Sequence, residues 1–267
     1  MKTKNSKDLS KHKTIKETTK ALKKVEDKID PEFLNVDPLK EAYHDSVVKT
    51  PLRSESLIKH NTALLVIDMQ YLDAAPGHGV FADSSNYELP EDAKEYYFKS
   101  LKEVVIPNIQ RLQKCFRKNK LEIIHTRIQS LTQDGRDRSE GHKALSLLAP
   151  PGSKEADFLE EIAPQGDEIV INKTASGVFT STNLGYVLRN MNINSLYITG
   201  VYTNECVSTT ARDARDLGYM VTLIEDSCTS VTPELHNFTI TTLKDRYAKI
   251  LNTQQAIEEI EQLNIKP

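Results

Sequence analysis

The chain has 267 residues, 38% hydrophobic and 27% charged, which fits a globular protein and excludes a disordered or collagen-like one. Three cysteines are too few and too odd in number for a disulfide framework, so a reducing, cytoplasmic setting is expected. No apolar run approaches the roughly 20 residues that span a bilayer, so no membrane partner is expected, and the net charge of −3 argues against a nucleic-acid partner.

That charge is uneven. The first thirty residues hold ten lysines against five carboxylates, so the rest of the chain carries the negative excess. No apolar core follows the lysine-rich start, which therefore does not read as a secretory signal. Ile15, Leu22, Val25 and Ile29 form a weak amphipathic stripe that predicts a helix over residues 14–29 in need of a partner. Residues 30–60 contain Pro31, Pro38 and Pro51 and no glycine, and read as an extended wrapping segment. The expected division is therefore a basic, partly helical extension over residues 1–55 and one α/β domain over residues 56–267. The arm is expected to lie on a neighbouring subunit of a homo-oligomer.

The domain opens on a continuous apolar run, Thr62 to Ile67, typical of a strand covered on both faces. A long helix is predicted over residues 92–118 and a second strand over 121–126. A polar loop follows, 129–151, carrying Arg136, Arg138 and His142; it is long enough to form a lid, though a solvated surface loop is its plainer role. Next come a helix over 154–161, a strand over 168–172, a helix over 181–190 and a strand over 195–199. A helix containing Cys206 leads to a strand over 219–224, a helix over 233–244, a strand over 248–251 and a last helix over 253–263. Strands alternating with helices predict a doubly wound, mainly parallel sheet of about six strands with helices on both faces.

In such sheets ligands bind outside the carboxyl ends of the strands. Asp68 follows the first strand, Lys173 the third and Cys206 the fourth. Each has a plain reading as turn former, solvated cation or small core residue. Their shared location favours a joint one: a thiol whose pKa is lowered by a cation and a helix N-terminus, next to a carboxylate that accepts its proton. Cys115, inside the long helix, and Cys228, after a strand end, read as structural.

The segments Leu65-Val66-Ile67-Asp68-Met69-Gln70, Ile171-Asn172-Lys173 and Gly200-Val201-Tyr202-Thr203-Asn204-Glu205-Cys206-Val207 resemble those of the isochorismatase-like cysteine hydrolases. The resemblance covers about residues 60–250. It implies Cys206 as nucleophile, Asp68 as general base and acid, and Lys173 as the group that stabilises the thiolate. It also implies a cis bond between Val201 and Tyr202, and an oxyanion hole made by the amides of Tyr202 and Cys206. The activity implied is cleavage of a C–N bond in a small amide or ureido substrate through a thioester. Isochorismatases proper cleave a vinyl ether and carry glycine at the cysteine position, so vinyl-ether hydrolysis is the lesser alternative; a non-catalytic scaffold is another. The nicotinamidase branch holds a metal with an Asp-x-His motif. Here Asp73 is followed by Ala74 and Ala75, and His78 and His125 are isolated, so neither metal nor cofactor is expected.

Substrate contacts are expected from Gln70, Arg127, Phe179 and Asn204, with Tyr202 beside Phe179 as a wall. Gln70 equally suits packing against its loop, and the two rings equally suit a core. Arg127 is placed to fork onto a carboxylate, which points to a small polar amide with an acidic end.

Overall fold

The computed structural model describes residues 38–83, 85 and 89–263. The helix expected over 14–29 and the basic arm lie outside them. By contacts the chain divides into units 1–43 and 44–267, and the whole sheet belongs to the second.

The sheet has six parallel strands: β1 Thr62–Ile67, β2 Glu122–Ile128, β3 Ile169–Lys173, β4 Ser195–Gly200, β5 Met220–Cys228 and β6 Lys249–Leu251. Their order is β3-β2-β1-β4-β5-β6, with every pairing parallel. The winding reverses between β1 and β4, the two strands that are buried along their whole length. The edge strands β3 and β6 are short and partly exposed, which limits pairing with other chains.

Alternation along β1 and β4 supplies two cores. Leu64, Val66 and Tyr197 face one side, where they cluster with Ile109, Leu112 and Phe116 and with Ala256 and Ile260. Ala63, Leu65, Ile67, Leu196 and Ile198 face the other, against Leu184, Leu188, Val207, Ala211, Ala214 and Leu243. A period of two thus feeds helix faces on both sides.

Residues 30–60 are not one extended segment. Two helices occur there, α1 Pro38–Val47 and α2 Leu52–Ile58. Pro38 is the first residue of α1 and Pro51 the N-cap of α2, places where the missing N–H costs nothing. Arg53 of α2 is buried and fastens this region to β5 through Val47 O, Thr222 Oγ1 and Val221 O.

A single turn, α3 Tyr71–Ala74, follows β1. The long helix comes in three parts: α4 Glu91–Ser100, a π-helical turn Leu101–Val105, and α5 Ile106–Lys118. The helix expected over 154–161 is instead two 3₁₀ turns, Lys154–Ala156 and Glu160–Ile162, and the stretch between them pairs with the chain after β1. The polar loop carries a short helix, α6 Glu140–Ala144. Beyond β3 come α7 Val178–Ser181 and α8 Leu184–Asn190; beyond β4 come a π turn Thr203–Val207 and α9 Ser208–Asp216; then α10 Pro233–Leu243 and α11 Thr253–Gln262 complete the domain.

Candidate active site

Asp68 leaves β1 in the left-handed region, φ 53°, a conformation that aspartate adopts more readily than most residues. Its amide donates to Thr126 O at 3.0 Å, and Thr126 Oγ1 donates to Asp68 Oδ1 at 3.2 Å. Lys173 ends β3, and its ammonium reaches Asp68 Oδ2 at 2.8 Å, Cys206 Sγ at 3.3 Å and Ala175 O at 3.0 Å. Three residues far apart in sequence therefore meet, and all are buried; Cys206 is 3% exposed and the other two 0%.

Two local features bring Cys206 there. Gly200 has φ 110°, and a Cβ on it would stand 2.0 Å from Ile67 O, so only glycine lets β4 press this closely on β1. The Val201–Tyr202 peptide bond is cis. The chain then enters the π turn, closed by Val207 N donating to Tyr202 O, which sets Cys206 one residue before the last of that turn and just ahead of α9. The amides of Val201 and Thr203 donate to Ile67 O and Thr229 O. Thr203 Oγ1 and His236 Nδ1 are 2.9 Å apart.

Electrostatics at the trio are those of crowded charge in a dry place. Burial pushes the Cys206 thiol well up; Lys173 opposes that, while Asp68 and Asp73 add to it and the thiol bonds to Asp68. Burial alone would lower the Lys173 ammonium, but Asp68, then Cys206 and Asp73, hold it above the ordinary lysine value. At rest the sulfur is protonated and the lysine charged. Asp73, on α3, is 2% exposed and its Oδ2 has no hydrogen-bond partner. Burial, reinforced by Asp68, pushes its carboxyl well above the ordinary range, which favours its neutral form. His142 of α6 is likewise buried with Nδ1 unpartnered; burial, then Lys173, lowers it to about 4.

A pocket of about 190 Å³ opens beside the Cys206 loop. Tyr202, Asn204, Glu205 and Ser230 line one side, and Val80, Leu89, Leu145, Leu147 and Val231 the rest. Leu145 and Leu147 come from the polar loop, which is not a solvated excursion. Its Asp137 carboxylate binds the amides of Leu131 and Thr132, and Ser139 N donates to Thr174 O.

Of the expected substrate contacts, Asn204 and Tyr202 line this pocket, and Asn204 Oδ1 accepts from Ser230 Oγ. The other three are engaged elsewhere. The Gln70 amide is fully buried; it donates to Ile128 O and Glu155 O and accepts from Ile128 N, locking β1 to β2. Arg127 donates to Asn172 Oδ1 and Ala156 O and lies over the Phe158 ring. Phe179 packs on Tyr219, just before β5, at the sheet end opposite the trio. His125 pairs with Glu168 and His78 with Glu155. Cys115 is buried in α5 and Cys228 ends β5, also buried. Thr126 carries no motif, and Asp73, His142 and Glu205 lie in stretches read for other reasons, none of which placed them beside the trio. Only the pairing of Thr126 with Ile67 across β1 and β2 was foreseeable, from strand order.

An isochorismatase domain matches residues 62–255. The chain belongs to the isochorismatase family. It is 25% identical over 228 residues to the ureidoacrylate amidohydrolase RutB of Acinetobacter baylyi, covering 79% of this chain and 88% of that one. It is 34% identical over 128 residues to YrdC, an uncharacterized isochorismatase family protein of Bacillus subtilis, covering 44% and 68%. A cysteine hydrolase from Pseudomonas syringae superposes with a TM-score of 0.62 at 23% identity, over 76% of this chain and 94% of that one, a likeness of fold. The trio thus sits at the carboxyl rim of an isochorismatase-family hydrolase, Asp68 and Cys206 flanking the switch point between β1 and β4. Among the described residues of this family member, no group of three or more His, Cys, Asp or Glu is arranged to hold a metal.

Proposed function

We propose that this isochorismatase-family hydrolase cleaves the C–N bond of a small amide or ureido substrate through a thioester on Cys206. The observation that carries the reading is the contact of one buried ammonium with both a carboxylate at 2.8 Å and a thiol at 3.3 Å, beside a pocket. The relative named ureidoacrylate amidohydrolase supports the class of bond.

The Cys206 proton passes to Asp68 as the sulfur attacks the substrate carbonyl carbon. Lys173 compensates the thiolate at the moment it forms, which matters because burial otherwise keeps the thiol protonated. The oxyanion falls to the amides of Tyr202 and Cys206, where one donor is typically worth about 10²–10³ in rate. Asp68 returns the proton to the departing nitrogen, the C–N bond breaks, and ammonia or an amine leaves. Water then gives a proton to Asp68 and attacks the thioester. The C–S bond breaks, the proton goes back to sulfur, and the acid is released.

The test is ammonia release from a panel of small amides and ureides. The wild type should turn over at least one of them, and Cys206→Ala should lose about 10³-fold or more, as expected for removal of a nucleophile. Wild-type rates in Cys206→Ala would end the reading.

A further inference from the structure

The pocket beside Cys206 has an unusual charge inventory for a site expected to hold an acidic substrate. Among the described residues, five of the nine that line it are aliphatic and the only formally charged one is Glu205. Among the described residues no Lys or Arg lines the pocket, and Lys173, Arg138 and Arg127 each hold bonds elsewhere. The Lys173 ammonium has three N–H donors and three partners, Asp68, Cys206 and Ala175 O. The Arg138 guanidinium, behind the pocket wall, donates to Gly135 O and Leu147 O. Arg127 is held by Asn172 and Ala156 O.

Near the trio, Asp73 Oδ2 and His142 Nδ1 are buried and lack hydrogen-bond partners, and burial favours the uncharged form of each. A substrate carboxylate in this pocket would meet aliphatic walls and Glu205, with no lining cation among the described residues to pair it. Burying an unpaired charge is among the costlier events in a protein interior.

We infer that the site selects an uncharged amide or ureide with an apolar substituent and rejects substrates that carry a carboxylate. This rests on the amide-cleaving reading above and reverses the acidic-end expectation drawn from Arg127. The aliphatic walls take the substituent.

Two measurements on the full-length protein separate this inference from the reading beneath it. The first is alkylation of Cys206 by iodoacetamide and by iodoacetate, a neutral and an anionic probe of one size, followed by mass spectrometry and scaled to glutathione. The neutral reagent should be preferred by about tenfold or more beyond the glutathione ratio, as expected where like charges are juxtaposed. The second is hydrolysis of isovaleramide against succinamate, with isovaleramide favoured by about a hundredfold. Leu145→Arg, which puts a cation on the half-buried rim, should move both ratios towards the anion; Glu205→Gln should narrow them if that variant does not fold. Faster hydrolysis of succinamate, or an alkylation ratio equal to that of glutathione, overturns the inference and leaves amide cleavage standing. Neutral-selective alkylation with no amide turned over supports the selectivity and removes the amide reading. A Cys206 that reacts with neither probe, in a protein that cleaves neither amide, removes both.

Discussion

Lys173 shows how much one buried side chain can be asked to do. Its three N–H donors satisfy a carboxylate, a thiol and a carbonyl, and among the described residues it carries the positive charge in direct contact with Asp68 and Cys206. Replacing it with alanine leaves Asp68 unpaired and removes the main influence that lowers the Cys206 thiol. For an acid such as a thiol, loss of a cation moves the titration to higher pH. Lys173→Ala is therefore expected to shift the pH profile of Cys206 alkylation upward, and to slow labelling at pH 8. An unmoved profile would show that the lysine does not act on the sulfur. At this scale the trio was legible in the sequence, because strand carboxyl ends fix where Asp68, Lys173 and Cys206 emerge. Gln70, Arg127 and Phe179 were not. Where a side chain turns after leaving a strand depends on partners such as Ile128, Asn172 and Tyr219, which no spacing rule supplies.

Among the elements, the strand-to-helix passage through Gly200 controls the geometry most. A methyl group there meets Ile67 O at 2.0 Å and demands a backbone angle that alanine disfavours. Gly200→Ala must push β4 away from β1, just where the Cys206 loop begins. The expected outcome is a loss of about 1–3 kcal/mol in urea unfolding, the range for strained or overpacked core sites, together with loss of turnover. Near-wild-type values for both would contradict the packing described for β1 and β4. Every strand was recognisable from its apolar run and placed to within a few residues, β5 differing most because it continues through a bulge to Cys228. The helices were less legible where proline was read only as a breaker. Pro38 and Pro51 start helices here, because a helix lacks amide partners in its first turn. Residues 154–161 failed as a helix for a tertiary reason: Tyr71 N donates to Asp157 O and Leu159 N to Met69 O, so this stretch pairs with the chain after β1.

For the molecule as a whole, topology does the assembling. The order β3-β2-β1-β4-β5-β6 puts the reversal of winding between β1 and β4, and the rim above it is where an acid, a cation and a thiol converge. The alternation of strands and helices predicted a parallel, doubly wound sheet, but not this order nor which strands lie at its edges. The far end of the fold is held by Arg53, which ties Val47 to β5. Arg53→Ala strips partners from buried carbonyls of Val47 and Val221 and is expected to cost about 2–4 kcal/mol in unfolding free energy, with kcat unchanged at temperatures where the variant stays folded. A fall in kcat without a fall in stability would connect that end to the site. The most direct measurement of the central claim is the mass of the protein during turnover. The wild type, quenched in acid while hydrolysing a small amide, should gain the mass of the acyl group, mapped by digestion to Cys206, and Cys206→Ala should gain none and turn over no substrate. Full turnover by Cys206→Ala, or an acyl group mapped to another residue, would contradict it.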